Sequence, residues 1–420
     1  MVLFHHDKAK TPRRKTPAQG RGFSNTATNG VFQRVSTRSI VGNNPTALKA
    51  KKAQKRWPAL AHKVRFAALS RRGGPFPHPD FANWPRPRSQ NLWFIFGRRE
   101  GGISKVAEKH ELPEKGKRPM RALLVHNPTA GTKGHDKDSI IDALHLADYK
   151  VDYVSTKEDG VRDALKKAPD LVVAAGGDGT VAYVFKHMQD YSVPIGVLPL
   201  GSANNIARSL GIAGTPQELA EQWHTGYVRP FNLIVVNGLK EEMLCTEAFG
   251  VGLIATLIER RAKGKKADGA DDIRRGRRAL KEILTEAEPH DVEINIDGQP
   301  WESDLLGVEV LTIPFTGPAL PLAHDADPSD KLLDAVGVDR DNGEAVIDWL
   351  KSPHESAPPV ISRQGKEIVV RWRGVESRID DKLVKAKSDW QEVALSCAPE
   401  PLQILVPAPH PAVRKSADDK

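Results

Sequence analysis

Three short stretches of this chain gather glycine, amide and hydroxyl side chains around one carboxylate, the residue types that can cradle a phosphate. The central one is Leu171-Val172-Val173-Ala174-Ala175-Gly176-Gly177-Asp178-Gly179-Thr180, an apolar run that breaks into three glycines about Asp178. Glycine lets the backbone turn sharply and come close to a ligand. Val181 to Phe185 then resumes at helical spacing, so the loop's N–H groups stand at a helix N-terminus, where anionic phosphate is stabilised. Read by itself, the same stretch is also a tight strand-to-helix turn with a capping aspartate. The other two stretches are Asn127-Pro128-Thr129-Ala130-Gly131-Thr132-Lys133-Gly134 and Leu198-Pro199-Leu200-Gly201-Ser202-Ala203-Asn204-Asn205-Ile206-Ala207-Arg208. Each has a plain alternative: an Asn-Pro turn for the first, and a helix capped by Asn204 or Asn205 for the second.

The elements around them decide how the loops meet. Strands are predicted at 121–126, 151–154, 171–175 and 195–199, alternating with helices at 137–148, 159–167, 180–189 and 204–211. Strict β/α alternation with short links implies a Rossmann-like parallel sheet covered on both faces, with ligand loops at the carboxyl ends of the strands. All three glycine-bearing loops fall at such ends. Beyond about residue 230 the pattern changes to strands at 231–237, 243–249, 291–297, 305–313, 366–373 and 392–397, with helices at 254–262 and 272–287. These imply a β-rich, antiparallel, sandwich-like second domain. Gly250-Val251-Gly252-Leu253-Ile254-Ala255 imitates a dinucleotide fingerprint, but it lacks a surrounding βαβ unit and reads as a turn before a helix.

With 420 residues the chain has room for two or three domains. No run of about 18 apolar residues occurs, so no membrane-spanning helix is expected. Two cysteines, Cys245 and Cys397, make no disulfide framework, and no His/Cys cluster has metal-ligand spacing. A reducing cytoplasm is the expected setting. The net charge of +9 conceals an asymmetry, because residues 1–118 hold 26 Lys+Arg against 6 Asp+Glu while the remainder is net acidic. The expected domains are a basic, disordered extension over 1–118, an α/β nucleotide-binding domain over 119–228, a β-rich domain over 229–407 and a tail over 408–420.

The motifs Asn127-Pro128-x-Ala130-Gly131, Gly176-Gly177-Asp178-Gly179-Thr180 and Pro199-Leu200-Gly201-Ser202-x-Asn204-Asn205-x-Ala207-Arg208 together resemble, in order and spacing, the catalytic domain of the diacylglycerol kinase-like lipid kinases. That family includes sphingosine kinases and is more distantly similar to NAD kinases. The resemblance runs from about Arg121 to about Pro407. It implies an ATP-dependent kinase acting on the hydroxyl of diacylglycerol or a related lipid alcohol, with the β-rich lobe closing the nucleotide cleft and holding the lipid side. Asn127, Thr129, Gly131, Gly176, Gly177, Gly179, Thr180, Gly201, Ser202, Asn204 and Asn205 are then the nucleotide-binding candidates. No Gly-x4-Gly-Lys-Ser/Thr is present, so backbone amides, hydroxyls and Mg2+ must handle the phosphate charge. Asp325-Ala326-Asp327-Pro328-Ser329-Asp330-Lys331-Leu332-Leu333-Asp334 resembles the family's Asp-Asp-Gly-x-Leu-Asp stretch, with Lys331 and Ser329 as departures. Asp178 and Asp330 are thus the catalytic candidates: Asp178 at magnesium and the γ-phosphate, Asp330 as base for the hydroxyl, with the two roles open to exchange. Ile379-Asp380-Asp381-Lys382 stands where the family shows Asp-Gly-Glu. The competing readings are an NAD kinase-like enzyme and a non-catalytic basic membrane- or nucleic-acid-binding protein on a degenerate kinase fold. No specific nucleic acid is expected as partner, and a homodimer is compatible with the sequence.

Two basic regions bear on membranes. In 56–72, positions Trp57, Leu60, Ala61, Val64 and Ala68 share a helical face framed by Lys63, Arg65, Arg71 and Arg72. That pattern suits an interfacial helix on anionic lipid, with Asn91 to Phe96 as an aromatic wedge, and it equally suits a basic tail without a partner or an untranslated stretch. Met120 precedes the first strand directly, and residues 1–119 hold no other methionine than Met1. The working protein is therefore expected to start at Met120, with no sheet residue lost. The second region, Glu259 to Lys266 with Arg274, Arg275, Arg277 and Arg278, reads as a solvated helix face or as a headgroup contact beside the lipid.

Overall fold

The computed structural model describes residues 108–109, 119–130, 135–167, 169–263 and 269–408. The proposed interfacial helix and aromatic wedge lie outside the described residues, as does Gly131. The first lobe runs β1 (Glu108–Lys109), β2 (Met120–His126), α1 (Lys137–Leu146), β3 (Tyr149–Ser155), α2 (Val161–Leu165), β4 (Leu171–Gly176), α3 (Asp178–His187), β5 (Ile195–Pro199), α4 (Asn205–Ser209), α5 (Pro216–Trp223) and β6 (Tyr227–Phe231). Strands β3, β2, β4 and β5 are parallel neighbours in that order. β4 is buried at all six positions, as a central parallel strand covered on both faces must be. Around it, Leu124, Ile140, Val173, Phe185 and Ile195 are fully buried. The links start helices where the chemistry favours it: Asp136 accepts the Ser139 N–H ahead of α1, and Thr215 with Glu218 forms a capping box before α5, with Pro216 in its first turn.

The second lobe runs β7 (Ile234–Asn237), β8 (Met243–Cys245), β9 (Ala248–Gly252), α6 (Leu253–Ala262), α7 (Gly269–Glu286), β10 (Asp291–Ile296), β11 (Gln299–Trp301), β12 (Leu305–Leu311), β13 (Leu333–Asp339), α8 (Gly343–Trp349), β14 (Ile361–Gly365), β15 (Glu367–Arg373), β16 (Ser377–Ile379), β17 (Lys382–Val384) and β18 (Gln391–Cys397). The last strand, β19 (Leu402–Leu405), follows it. Two six-stranded sheets result, β11-β10-β15-β18-β7-β8 and β14-β13-β12-β9-β16-β17. All their pairings are antiparallel. Their inner faces share one core, in which Phe249 and Val310 of one sheet meet Trp372 and Leu395 of the other. The outer face of the β9/β12/β13 sheet is covered by α6, α7 and α8 through Leu257, Leu280, Leu284 and Trp349.

Three details depart from the sequence reading. The strand expected over 231–237 is two strands in two sheets, because Asn232 turns its N–H to the Pro328 carbonyl at 2.7 Å and the chain crosses over there. The chain also returns at its end: β19 enters the first sheet, parallel to β5 and antiparallel to β6. The first lobe is therefore discontinuous, and 402–405 belong to it rather than to the β-rich stretch 229–407. Finally, a sheet residue does lie before Met120, since Glu108 and Lys109 pair with Val228 and Tyr227 at the sheet edge. Among the described residues no helix is long and apolar enough to cross a membrane.

Candidate active site

The carboxyl ends of β2, β4 and β5 meet as the alternation requires. Gly177 and Gly201 bring two of the loops together backbone on backbone: a Cβ on Gly177 would stand 3.2 Å from the Gly201 Cα, and one on Gly201 would overlap the Gly177 Cα. Any larger residue at either position pushes the loops apart. Leu200 N–H seals the same junction by donating to the Gly176 carbonyl at 2.9 Å. A Cβ on Gly176 would likewise overlap the Thr180 side chain. The N-terminus of α3 therefore opens directly into a cleft of about 420 Å3 walled by Asn127, Gly177, Gly179, Thr180, Gly201 and Ser202. No lysine or arginine stands among its described lining residues. The positive end of a helix and free backbone N–H groups are what it offers an anion.

The candidate residues divide by what their side chains do. Asn127 closes its own turn, its Oδ1 accepting from the Thr129 N–H at 3.1 Å and hydroxyl at 2.9 Å. Ser202 faces the cleft and accepts the Gly269 N–H of α7 at 3.0 Å. Asn204 is spent on its loop: at φ +50° its Oδ1 takes the Gly201 N–H and its Nδ2 donates to the Gly201 and Pro199 carbonyls. Asn205 is buried and faces away from the cleft, its Nδ2 donating to Glu247 and to the Gly317 carbonyl, both at 3.0 Å in the second lobe. These two amides shape and anchor the loop.

Asp178 sits in the first turn of α3, behind the cleft wall rather than among its lining residues, with Oδ1 accepting the Ile206 N–H at 3.0 Å. Burial, and then the charge of Glu247, push its carboxyl up to about 7, against the backbone donors of Ile206 and Asn205 and the charge of Arg208. An acid held near neutrality is what proton transfer at pH 7 uses. Asp330 is placed elsewhere. It is exposed, its Oδ1 accepts the Leu332 N–H at 2.8 Å, and it is absent from the cleft wall. Within the same loop, Asp327 is tied to Arg229 at 3.0 Å and Asp334 to Gln364 at 2.8 Å.

The carboxylate that the second lobe does bring to the cleft is Asp381, at the turn between β16 and β17. It lies over the glycine loop, with Oδ2 3.8 Å from where a Cβ on Gly179 would stand. Its neighbour Asp380 fixes that turn, accepting from the backbone N–H groups of Thr246 and Glu247 and pairing with Lys186 of α3. Burial works against Asp380, yet Lys186 and the Glu247 N–H hold it below the usual carboxylate range. Behind it runs a buried network: Arg378 donates to Glu309 at 2.6 Å and lies 3.4 Å from Glu247, which also takes the Thr316 hydroxyl at 2.7 Å. Burial penalises the Arg378 charge, but Glu309 and Glu247 more than restore it; Glu309 itself is pushed up to about 7 by burial. Sequence reasoning saw Asp380-Asp381 only as an altered motif and missed Glu247, Glu309 and Arg378. The one signal among them is Glu309, a charge inside the otherwise apolar run Leu305–Leu311. On the far face of that sheet a narrow apolar cavity opens among Leu253, Leu280, Leu322, Trp349 and Val360, reaching Glu309.

Comparison with known proteins now bears on this geometry. Residues 121–236 match the family model described as the diacylglycerol kinase catalytic domain. The segment resembles a diacylglycerol kinase catalytic domain. It assigns the chain to the phosphotransferases with an alcohol group as acceptor. The diacylglycerol kinase of Bacillus subtilis (strain 168) is 28% identical over 231 residues, covering 51% of this chain and 73% of that protein. Human diacylglycerol kinase iota is 36% identical over 104 residues, but these are 23% of this chain and only 10% of that protein. A solved diacylglycerol kinase from Bacillus anthracis str. Sterne superposes with a TM-score of 0.52 at 20% identity, over 70% of this chain and 98% of its own, and so shares the fold. The catalytic domain model ends at β7, so it holds the three loops and leaves Glu247, Arg378 and Asp381 to the second lobe.

Proposed function

We propose that the chain is an ATP-dependent lipid kinase that moves the γ-phosphoryl group of ATP to the hydroxyl of diacylglycerol or a related lipid alcohol. The observation that carries this reading is the cleft itself: three loops of the diacylglycerol kinase catalytic domain form one wall, and Asp381 from the β-rich lobe stands over them. The N–H groups at the start of α3 and the Thr180 and Ser202 hydroxyls cradle the ATP phosphates. Asp178 stands at the γ-phosphate end, and Asp381, on the lobe that carries the apolar cavity, accepts the hydroxyl proton.

Magnesium fits this donor set in the manner it favours with nucleotides. No group of three His, Cys, Asp or Glu able to hold a metal occurs among the described residues, and Mg2+ needs only one or two carboxylates when phosphates and waters complete its shell. Asp178 is the carboxylate that would hold it. When bound it neutralises charge on the transferring phosphoryl group.

Incubation with labelled ATP and mixed lipid vesicles, followed by identification of the product, tests the reading. A phosphorylated lipid is expected. ATP hydrolysis or NAD phosphorylation without labelled lipid would overturn it.

A further inference from the structure

One helix of the first lobe meets the second lobe along a single face. On α3, Gly179, Tyr183 and Lys186 stand at i, i+4 and i+7, so they share a stripe. Asp381 lies over Gly179, with Oδ2 3.8 Å from where a Cβ there would stand. Tyr183, midway along the stripe, lines the cleft. Lys186, about 10 Å further along the axis than Gly179, carries the Nζ that pairs with Oδ2 of Asp380. Side chains on a helix lean toward its N-terminus, so Lys186 reaches back along the stripe toward the cleft. Two successive residues of one turn, Asp380 and Asp381, therefore sit over the same helix face.

That turn is held through Asp380. Ile379 pairs with Lys382 across the hairpin, which leaves Asp380-Asp381 as a two-residue loop. Asp380 takes φ +52°, in the left-handed region that a non-glycine residue occupies at a cost its contacts must offset. Its N–H donates to the Ala248 carbonyl at 2.9 Å, and its own carbonyl accepts Nη1 of Arg378 at 2.7 Å. Its carboxylate takes the N–H groups of Thr246 at 3.0 Å and Glu247 at 2.7 Å. These partners belong to the second lobe, whereas Lys186 ties the same carboxylate to the helix that starts at the glycine loop. The lobes themselves have other ties: Asn205 donates to Glu247 at 3.0 Å, Arg229 pairs with Asp327 at 3.0 Å, and the Phe315 N–H donates to Ser209 Oγ at 3.2 Å. Loss of Lys186 thus loosens the hairpin over the loop without parting the lobes.

We propose that Lys186 is a positioning residue for phosphoryl transfer: its pairing with Asp380 sets the neighbouring Asp381 carboxylate over the glycine loop. The proposal rests on the lipid-kinase reading, with Asp381 as the base. In transfer the lipid hydroxyl oxygen bonds to the γ-phosphorus, the bond from that phosphorus to the β–γ bridging oxygen breaks, ADP leaves, and the hydroxyl proton passes to Asp381. A base acts only within hydrogen-bond reach, and misplacement by about 1 Å can cost about 100-fold. Lys186 is absent from the described lining of the cleft, so it acts through the turn and not by touching phosphate or lipid.

Steady-state transfer from ATP to diacylglycerol in mixed vesicles, by the full chain and by Lys186→Met with and without Asp381→Asn, tests the proposal. Lys186→Met is expected to lower kcat at least about fivefold while the KM for ATP stays within about twofold. Lys186→Arg, which keeps a cation for Asp380, is expected to recover part of the loss. In the Asp381→Asn background the same Lys186→Met change is expected to cost less than about twofold, because no base remains to be positioned. A purely structural lysine costs the same in both backgrounds, and that result would overturn the proposal. So would full kcat in Asp381→Asn, an unchanged kcat in folded Lys186→Met, or a loss confined to the KM for ATP. Melting curves show which variants are folded; should Lys186→Met not fold, Lys186→Gln, which keeps one donor for Asp380, is held to the same outcomes. Lys166→Met, which removes an exposed ion pair with Asp163 inside the first lobe, is expected to keep the parent kcat. A parent chain that transfers nothing to lipid sinks the kinase reading and this inference with it, whereas transfer that does not depend on Lys186 sinks this inference alone.

Discussion

The two walls of the cleft are built from opposite materials. The first-lobe wall is backbone: Gly177 against Gly201, the open N-terminus of α3, and amides such as Asn204 spent on holding their own loop. The second-lobe wall is fixed by buried charge, with Asp380 tied to Lys186 and Arg378 shared between Glu309 and Glu247. A backbone wall suits a ligand whose phosphates are always the same, since glycine spacing fixes it. Of these paired charges, Asp380 with Lys186 spans from the second lobe to the first and so registers one lobe against the other.

The largest effect expected from breaking this contrast is on stability, in the charged wall. Arg378→Met leaves Glu309 and Glu247 buried without their cation, and removal of one partner from a buried pair costs about 3–5 kcal/mol. Chemical denaturation reads this directly. A loss below about 1 kcal/mol would mean that the buried network adds little to the second lobe.

Asp178 lies behind the glycine loop within reach of the charge of Glu247 in the second lobe, and Asp178→Asn separates chemistry from structure. Asparagine keeps an oxygen for the Ile206 N–H and removes the charge facing Glu247. Turnover is expected to fall at least about 100-fold while the melting temperature holds or rises. The substitution also removes a pH dependence. Folded Asp178 keeps its proton up to about 7, whereas an unfolded aspartate ionises near ~3.9. Between these values the native state binds more protons, so this group's contribution to stability falls as pH rises across the window. Melting curves from about pH 5 to 7 should show a flatter slope in Asp178→Asn than in the parent.

Next in size is the backbone wall. Gly201→Ala sets a Cβ onto the Gly177 Cα, and overpacking of this kind costs about 1–3 kcal/mol. Because the strain falls on the loop junction, ATP affinity should weaken by about tenfold or more with little change in lipid binding. Fluorescent-nucleotide titration decides it. Unchanged affinity would show that the loops part without consequence for the phosphates.

The same contrast explains what the sequence makes legible. The glycine loops are contiguous, and β/α alternation fixes which ends of the strands they share, so Gly176 to Thr180 and Gly201-Ser202 read as one site from residue order alone. Asn204 and Asn205 sit in the same motif, yet which way an amide faces depends on φ +50° at Asn204 and on a partner forty-two residues away, Glu247. The second wall is assembled from β9, β12, β16 and the 315–319 segment, which become neighbours only once strands far apart in sequence have paired in one sheet. Glu309 interrupts an apolar strand and Arg378 lies in a strand of three residues, and nothing local says that they meet. The return of β19 to the first sheet is hidden for the same reason: four residues of strand carry no mark of which sheet they join.

The finest test asks which carboxylate the second lobe contributes. Alignment with the family's Asp-Asp-Gly-x-Leu-Asp pattern favours Asp330, whereas position favours Asp381. Asp330 is exposed and occupied by the Leu332 N–H of its own turn. Asp381 stands over Gly179, on a hairpin locked by the pairing of Asp380 with Lys186. A base must reach the proton it takes, so geometry outranks motif position. Asp381→Asn is accordingly expected to lower lipid phosphorylation by at least about tenfold, at the low end of what a general base contributes. Asp330→Asn should stay within about twofold of the parent, as a surface change away from the chemistry does. ATP affinity should hold in both, which a nucleotide titration checks beside the transfer assay. If instead Asp330→Asn suppresses transfer and Asp381→Asn does not, the 325–334 loop must swing into the cleft once both substrates bind, and the second wall is completed by lipid rather than prebuilt by charge.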